Sequence, residues 1–246
     1  MEWRDRDGIR WLEADFDGAR AAFSARLGGV SEQPFASLNL GILTGDQRER
    51  VSENRSRLAA SLGLDPRDVL MGLQVHGSRL AHHGARQEPG PYATPGSPLP
   101  EADGHATQRP GLAPLVLVAD CLPVALSGSR GVAMLHCGWR GLAAGIVAQG
   151  VEAVEARAAA IGPGIGPCCY EVGEEVLARF APLGDGVARG RMLDLAEVAR
   201  RQLREAGVVD TSAAGVCTSC EAELFFSHRR DGERSGRQAG LVWREE

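Results

Sequence analysis

The chain has 246 residues, 43% of them hydrophobic and 24% charged, with a formal net charge of −5 at pH 7. That length and apolar content suit one domain with a substantial core, and the acidic balance argues against a non-specific nucleic-acid binder, which carries a basic face. The opening MEWRDRDGIRWLEADF lacks the apolar stretch of a signal peptide, and no run of about 18 apolar residues is present to span a membrane, so a cytoplasmic protein acting on a small molecule is expected.

In chain order, Ala21–Leu40 alternates short apolar segments with Gly28-Gly29 and Pro34, which predicts strands and turns. Arg48–Gly63 has helical spacing through Val51, Leu58 and Leu62, a stop at Gly63, and Asp65-Pro66 beyond it. The stretch 82–111 shifts to Gly, Pro, Ala and polar residues and is too long for an ordinary connection, so it is expected as a partly mobile loop or lid. Leu112–Leu126 and Gly131–Leu135 predict two buried strands, Leu142–Arg157 an amphipathic helix, and Ala158–Gly162 a short strand. Helices follow at Gly173–Phe180 and Asp194–Ala206, the second opened by a capping box of Asp194 and Glu197. Gly215–Thr218 and Leu224–His228 are expected as late strands. Without strict βαβ alternation or a fixed-period repeat, the class is a single mixed α+β domain over 1–246.

Three polar side chains stand where apolar runs end: His76 in LQVHG, Cys121 in VLVADCLPV and His136 in MLHCGWRG. Two imidazoles and a thiolate form the donor set of a catalytic zinc site with an open fourth position. The same residues also fit two hydrogen-bonded core histidines and a small buried cysteine, and their wide spacing does not choose between the readings. The chain has six cysteines, too few for a disulfide scaffold. Cys168, Cys169, Cys217 and Cys220 contain one CxxC, but adjacent cysteines are expected to diverge, which favours packed thiols over a four-thiolate site. Gly162–Gly166 lacks the Lys-Ser/Thr of a nucleotide P-loop. His228-Arg229-Arg230 fits either an anion site or a solvated basic turn.

Taken in order, FSARLGGVSEQPFASLNLG, LQVHG, ADCLPV, LHCGWRG, IGPGIGPCCYEVG and FFSHRRDGERSGR are very similar to the motifs of the bacterial YfiH/YlmD family of purine nucleoside phosphorylases, formerly described as laccase-domain or polyphenol oxidase proteins. The resemblance runs from about residue 20 to the C-terminus. It implies a single α+β domain of layered mixed sheets flanked by helices, and a zinc enzyme, with copper as a possible substitute. Its partners would be purine nucleosides and phosphate, its products free base and ribose 1-phosphate, and it would also deaminate adenosine, as a monomer or homodimer. The family's metal ligands fall on His76, Cys121 and His136. Two positions depart from the family pattern: Cys137 follows the motif histidine, where it adds a thiol beside the metal, and Ala25 replaces a threonine.

Phosphorolysis needs an anion site beside the ribose and deamination needs an activated water, so arginines and a metal suit the two reactions. Arg26, Asn39, Arg140 and Arg229 are the candidates for phosphate and ribose, with Arg140 equally suited to bracing its own turn. Asp120 is the candidate to orient a ligand histidine or act as a base. Two rival chemistries remain. A four-copper oxidase uses about ten histidines in HxH pairs, whereas this chain has six and no such pair. A metal-free hydrolase would use Cys121 as nucleophile and His136 as base.

Overall fold

Side chains alternate between two faces along Ala113–Val118 and Gly131–Cys137, and nearly all positions on both faces are buried. Strands of that kind lie in the middle of a layered molecule. The computed structural model describes residues 1–245. Its strands are β1 (Glu2–Arg6), β2 (Ile9–Phe16), β3 (Ala19–Ser24), β4 (Val69–Leu70), β5 (Leu80–His83), β6 (Gly104–Thr107), β7 (Ala113–Val118), β8 (Leu122–Gly128), β9 (Gly131–Cys137), β10 (Ala156–Ile161), β11 (Ala188–Arg189), β12 (Met192–Leu193), β13 (Asp210–Ala213) and β14 (Gln238–Arg244). The helices are α1 (Arg48–Leu62), α2 (Trp139–Ala143), α3 (Ile146–Val154), α4 (Glu174–Phe180), α5 (Leu195–Glu205) and α6 (His228–Asp231).

Two mixed sheets form, in the orders β1-β2-β3-β14-β7-β4 and β13-β10-β8-β9-β6-β5. One core lies between them, where Phe23, Val116, Val118 and Val242 of the first sheet meet Ala125, Val132, Met134 and Ala160 of the second. The outer face of the first sheet packs Ala22, Leu115 and Leu241 against Leu58 and Ala59 of α1. The outer face of the second packs Val124, Leu135 and Ile161 against Val147 of α3 and Val198 and Leu203 of α5. The result is the expected α+β domain of layered sheets flanked by helices.

Several elements depart from expectation for identifiable reasons. The apolar run 112–126 is two strands in different sheets, because the chain crosses from β7 in the first sheet to β8 in the second through residues 119–121. The helix expected over 142–157 is broken by Gly145 at φ 82, and Glu155 at φ 47 turns the chain into β10. Gly215–Thr218 makes only a single bridge, Gly164 to Cys217. Leu224–His228 forms no strand; Phe226 N–H donates to the Gln238 side chain at 2.8 Å, a side-chain partner in place of a ladder. The stretch 82–111 contains β6, and in its middle Tyr92 is fully buried with its hydroxyl donating to Arg55 O at 2.9 Å. Gly63 at φ 73 ends α1, and Asp194 accepts from Glu197 N–H at 2.9 Å to open α5, both as the sequence predicts.

Candidate active site

The two sheets meet at one end of the molecule, and the three expected ligands meet there too. His136 points from the end of β9 into the space between the sheets, Cys121 ends the crossover from β7 to β8, and His76 sits in the loop after β4. Their donor atoms lie within 4.8 Å of one another. The His76 and His136 rings stand edge to face with centroids 4.9 Å apart. The close approach depends on Gly138: a Cβ there would lie 2.9 Å from Cys121 Sγ and 3.4 Å from His76 Cδ2. His76 and Asp120 hold left-handed backbone angles, φ 62 and 90, which side-chain-bearing residues adopt only where surrounding structure enforces them.

At His76 that enforcement comes from Asp103, a residue that no sequence motif marks. The Asp103 side chain is fully buried, its Oδ1 accepting from His76 N at 2.9 Å and His136 Nδ1 at 2.8 Å. Its Oδ2 accepts from Val75 N at 3.1 Å and Gly77 N at 2.8 Å. Burial works to raise the Asp103 carboxyl, but the His136 ring and the N–H groups of Gly77 and Val75 outweigh it and hold it below the ordinary value. With Nδ1 committed to Asp103, His136 turns Nε2 toward Cys121. Burial likewise opposes a Cys121 thiolate, yet the facing imidazoles of His136 and His76 bring the thiol down. Against its own burial, Cys121 and Asp103 in turn hold the His136 ring up, to about 9, so the sulfur's proton passes to the ring; a soft or borderline divalent ion that displaced that proton would meet a thiolate between two imidazoles, one fixed by a carboxylate.

Asp120 does not orient a histidine. Its oxygens accept from Thr218 Oγ1 at 2.7 Å and from Arg229 N at 2.6 Å, so it ties the crossover to the C-terminal loops. Cys137 is also away from the ligands: it points to the helical side of β9, fully buried, with its thiol pushed up by that burial. Ala25 is buried and lies off the cavity.

Beside the ligands lies a cavity of about 570 Å³, within the range of small-molecule sites. Arg140, stacked on Trp139 with its guanidinium 4.5 Å from the ring centre, lines it, as does Arg229, 5.1 Å from the ring centre of Tyr170. Arg237 and Arg55, not singled out from the sequence, line it as well. Arg55 is 1% exposed and donates to Leu40 O and Pro91 O, while its Nη2 has no partner among the described residues. Burial pushes its pKa down to about 10, so it stays charged at neutral pH. Burial pushes Tyr170 up to about 12, which keeps its phenol a donor.

Two expected substrate residues lie elsewhere. Arg26 lines a separate cleft with Arg230 and Arg234, stacks 4.3 Å from the Phe226 ring centre and donates to Ala36 O and Ala222 O. Asn39 is fully buried and works through the backbone, its Oδ1 accepting from Arg237 N at 2.9 Å beside the cavity. Both sit in the N-terminal motif, and of the two it is Asn39 that contacts a residue lining the cavity.

A family model described as multi-copper polyphenol oxidoreductase laccase matches residues 20–245. Purine nucleoside phosphorylase YfiH of Escherichia coli (strain K12) is 38% identical over 240 residues, covering 92% of this chain and 94% of that protein. A purine nucleoside phosphorylase of Deinococcus radiodurans is 40% identical over 249 residues, 96% of this chain and 93% of that one. The chain belongs to the YfiH/YlmD family. The crystal structure of YlmD from Geobacillus stearothermophilus matches with a TM-score of 0.90 at 35% identity, over 99% of this chain and 98% of that one. The family carries two descriptions, one of copper oxidation and one of nucleoside phosphorolysis. Here two histidines join a thiol at the cavity, and a further pair, His83 and His105, faces each other 3.0 Å apart in β5 and β6. No helix among the described residues is long and apolar enough to cross a membrane.

Proposed function

We propose that this chain is a cytoplasmic, zinc-dependent purine nucleoside phosphorylase that also deaminates adenosine. The observation that carries the reading is the convergence of His76, Cys121 and His136 beside a nucleoside-sized cavity lined with guanidinium groups. The relatives' names supply the reaction. His76, Cys121 and His136 would hold the zinc, which would supply the Lewis acidity that loss of ammonia from adenosine needs.

In phosphorolysis the C1′–N9 bond breaks and its electrons leave with the purine, an oxygen of hydrogen phosphate forms the new bond to C1′, and the proton that the phosphate gives up ends on the departing base. Arg140 and Arg229 hold phosphate as a bidentate, oriented nucleophile. Arg237 and the unpartnered Nη2 of Arg55 add positive potential from the cavity wall. Tyr170, protonated at neutral pH, offers a hydrogen bond to the sugar or base. Asp120 keeps Thr218 and the backbone of Arg229 in place rather than acting as a base.

Inosine with phosphate is expected to give hypoxanthine and ribose 1-phosphate, with turnover nearly stopping when phosphate is omitted and adenosine additionally giving inosine. Free ribose as the main sugar product would overturn the phosphorylase assignment. Cys121, His136 and Asp103 also form a thiol–imidazole–carboxylate line of the kind a cysteine hydrolase uses. His76 has no place in such a triad, and its strained backbone aimed at Cys121 favours the metal. Activity lost to a chelator and restored by zinc separates the two; copper restoring a phenol oxidase activity alone would favour the third chemistry.

A further inference from the structure

The four remaining motif cysteines do not diverge. Sγ of Cys168, Cys169, Cys217 and Cys220 all lie within 4.8 Å of one another, with Cys220 Sγ 3.5 Å from Cys168 Sγ and 3.4 Å from Cys169 Sγ. A tetrahedral ion with Zn–S bonds of about 2.3 Å sets its sulfurs about 3.8 Å apart, close to these separations and well beyond the roughly 2.05 Å of a disulfide. The adjacent pair converges because residues 166–170 form a tight turn, in which Gly166 O accepts from Cys169 N at 3.0 Å and Tyr170 N at 3.1 Å. The CxxC half is a turn of the same kind, with Cys217 O accepting from Cys220 N at 3.2 Å and Glu221 N at 3.0 Å.

At Cys217 backbone donors gather on the sulfur, and Gly166 leaves room for the cluster. Gly166 N–H donates to Cys217 Sγ at 3.2 Å, and the N–H groups of Ser219 and Cys220 also approach that sulfur. Backbone N–H groups aimed at a ligating sulfur offset the charge of several thiolates gathered on one ion. Gly166 leaves the space open: a Cβ there would lie 3.3 Å from Cys168 Sγ and 3.5 Å from Cys217 Sγ.

We propose that Cys168, Cys169, Cys217 and Cys220 bind a second zinc ion as a closed, four-thiolate structural site. The cluster clips the 161–173 loop to the 217–221 turn, which otherwise meet through Thr218 N to Gly164 O at 3.0 Å and the Gly164–Cys217 bridge. The 161–173 loop borders the cavity, and the 217–221 turn reaches its wall through Asp120. Tyr170 follows Cys169 and lines the cavity, while Thr218 follows Cys217 and donates to Asp120. Arg229 Nη1 donates to Cys169 O at 3.2 Å, which joins the clip to a proposed phosphate ligand. The second ion thereby fixes the cavity wall without touching substrate.

The test is the zinc content of the full-length protein, purified under reducing conditions and weighed by native mass spectrometry. About two zinc ions per chain are expected, one for each cluster. Cys220→Ser should lose one of them and keep the zinc held with Cys121, whereas Cys121→Ser should lose the other. Cobalt-loaded Cys121→Ser should show the strong sulfur-to-cobalt absorption of a tetrahedral thiolate site. If Cys220→Ser fails to fold, alkylation of the wild-type chain decides: in zinc-loaded protein these four thiols should be protected, and chelation should expose them together. A wild-type chain with no more than one zinc, which Cys121→Ser removes, would overturn the proposal. So would iron at this cluster, or a mass two units lower for each cysteine pair, which marks disulfides.

Discussion

Replacing Asp103 with Asn tests whether one buried carboxylate holds the metal centre together. Asp103 takes four hydrogen bonds, two on each oxygen: His76 N and His136 Nδ1 on Oδ1, Val75 N and Gly77 N on Oδ2. Asn keeps one acceptor oxygen and puts an NH2 where the other stood, so two N–H donors are orphaned whichever way the amide lies. Each orphaned buried donor costs about 1–3 kcal/mol, giving a loss of about 2–6 kcal/mol in unfolding free energy. Removing the outer partner of a ligating histidine costs about 10–100-fold in metal affinity, or about 1.4–2.8 kcal/mol. Because Asp103 also orients His76 through its backbone, the upper end is expected here. Competition with a chromophoric chelator measures the affinity and urea unfolding the stability. Asp120→Asn is the control, since its partners are Thr218 and Arg229, and it should leave zinc affinity near the wild-type value. An Asp103→Asn protein that binds zinc as tightly as wild type, or an Asp120→Asn protein that loses more, would refute the assignment.

Gly138→Ala should retain the fold but lower zinc affinity, because its methyl group would press within 2.9 Å of Cys121 Sγ; equal affinity by the same titration would show that the ligands do not need the close approach. Arg140→Ala should reduce phosphorolysis of inosine by about 10–1,000-fold, the scale of losing a charge-stabilising contact, and reduce adenosine deamination less, while Arg26→Ala, lying in the separate cleft, should alter both rates little; product analysis by mass reads the split, and a larger effect from Arg26→Ala would contradict the placement. For pH, burial depresses His105 to about 3, so the folded chain keeps it neutral while the unfolded chain protonates it below about 6.5. Its contribution is therefore neutral at pH 7 and destabilising as pH falls below 6.5, by about 1.4 kcal/mol per unit. His105→Asn should flatten the fall of the urea midpoint between pH 6.5 and 5 relative to wild type, and parallel curves would refute the role.

The convergence of His76, Cys121 and His136 was legible because each closes an apolar strand or sits in a turn next to one, where the chain direction is set by the sheet. Asp103 was not legible for the opposite reason. It stands in a Pro- and Gly-rich stretch, and its four partners lie 26 to 33 residues away. The chemical need was visible, since a ligating imidazole requires an acceptor on its other nitrogen, but proximity in sequence pointed to Asp120. Strand β1 went unread because its residues are mostly exposed and charged, as suits the edge of a sheet. Strand β14 lies beyond the last motif and was not expected, although it pairs with both β3 and β7 at the centre of the first sheet. The convergence of the four cysteines was not legible, because a tight turn at Gly166 sets aside the divergence expected of neighbouring side chains.

The position of the site follows from the topology. Crossing from one sheet to the other within residues 119–121 leaves no room for a relaxed turn, and Asp120 takes φ 90 to make it. That crossing sets Cys121 at the seam between the layers, where β9 delivers His136 from the second sheet. The loop carrying His76 is anchored to the first sheet through Gln74, whose side chain donates to Leu117 O at 2.7 Å and accepts from Leu117 N at 2.8 Å. Each ligand is thus referred to a different rigid element, and Asp103, beside the start of β6, connects two of them. The strands, and not an ion, hold these three donors in place. The four-cysteine clip lacks that support, since both of its halves are loops, and its order depends on what the sulfurs bind.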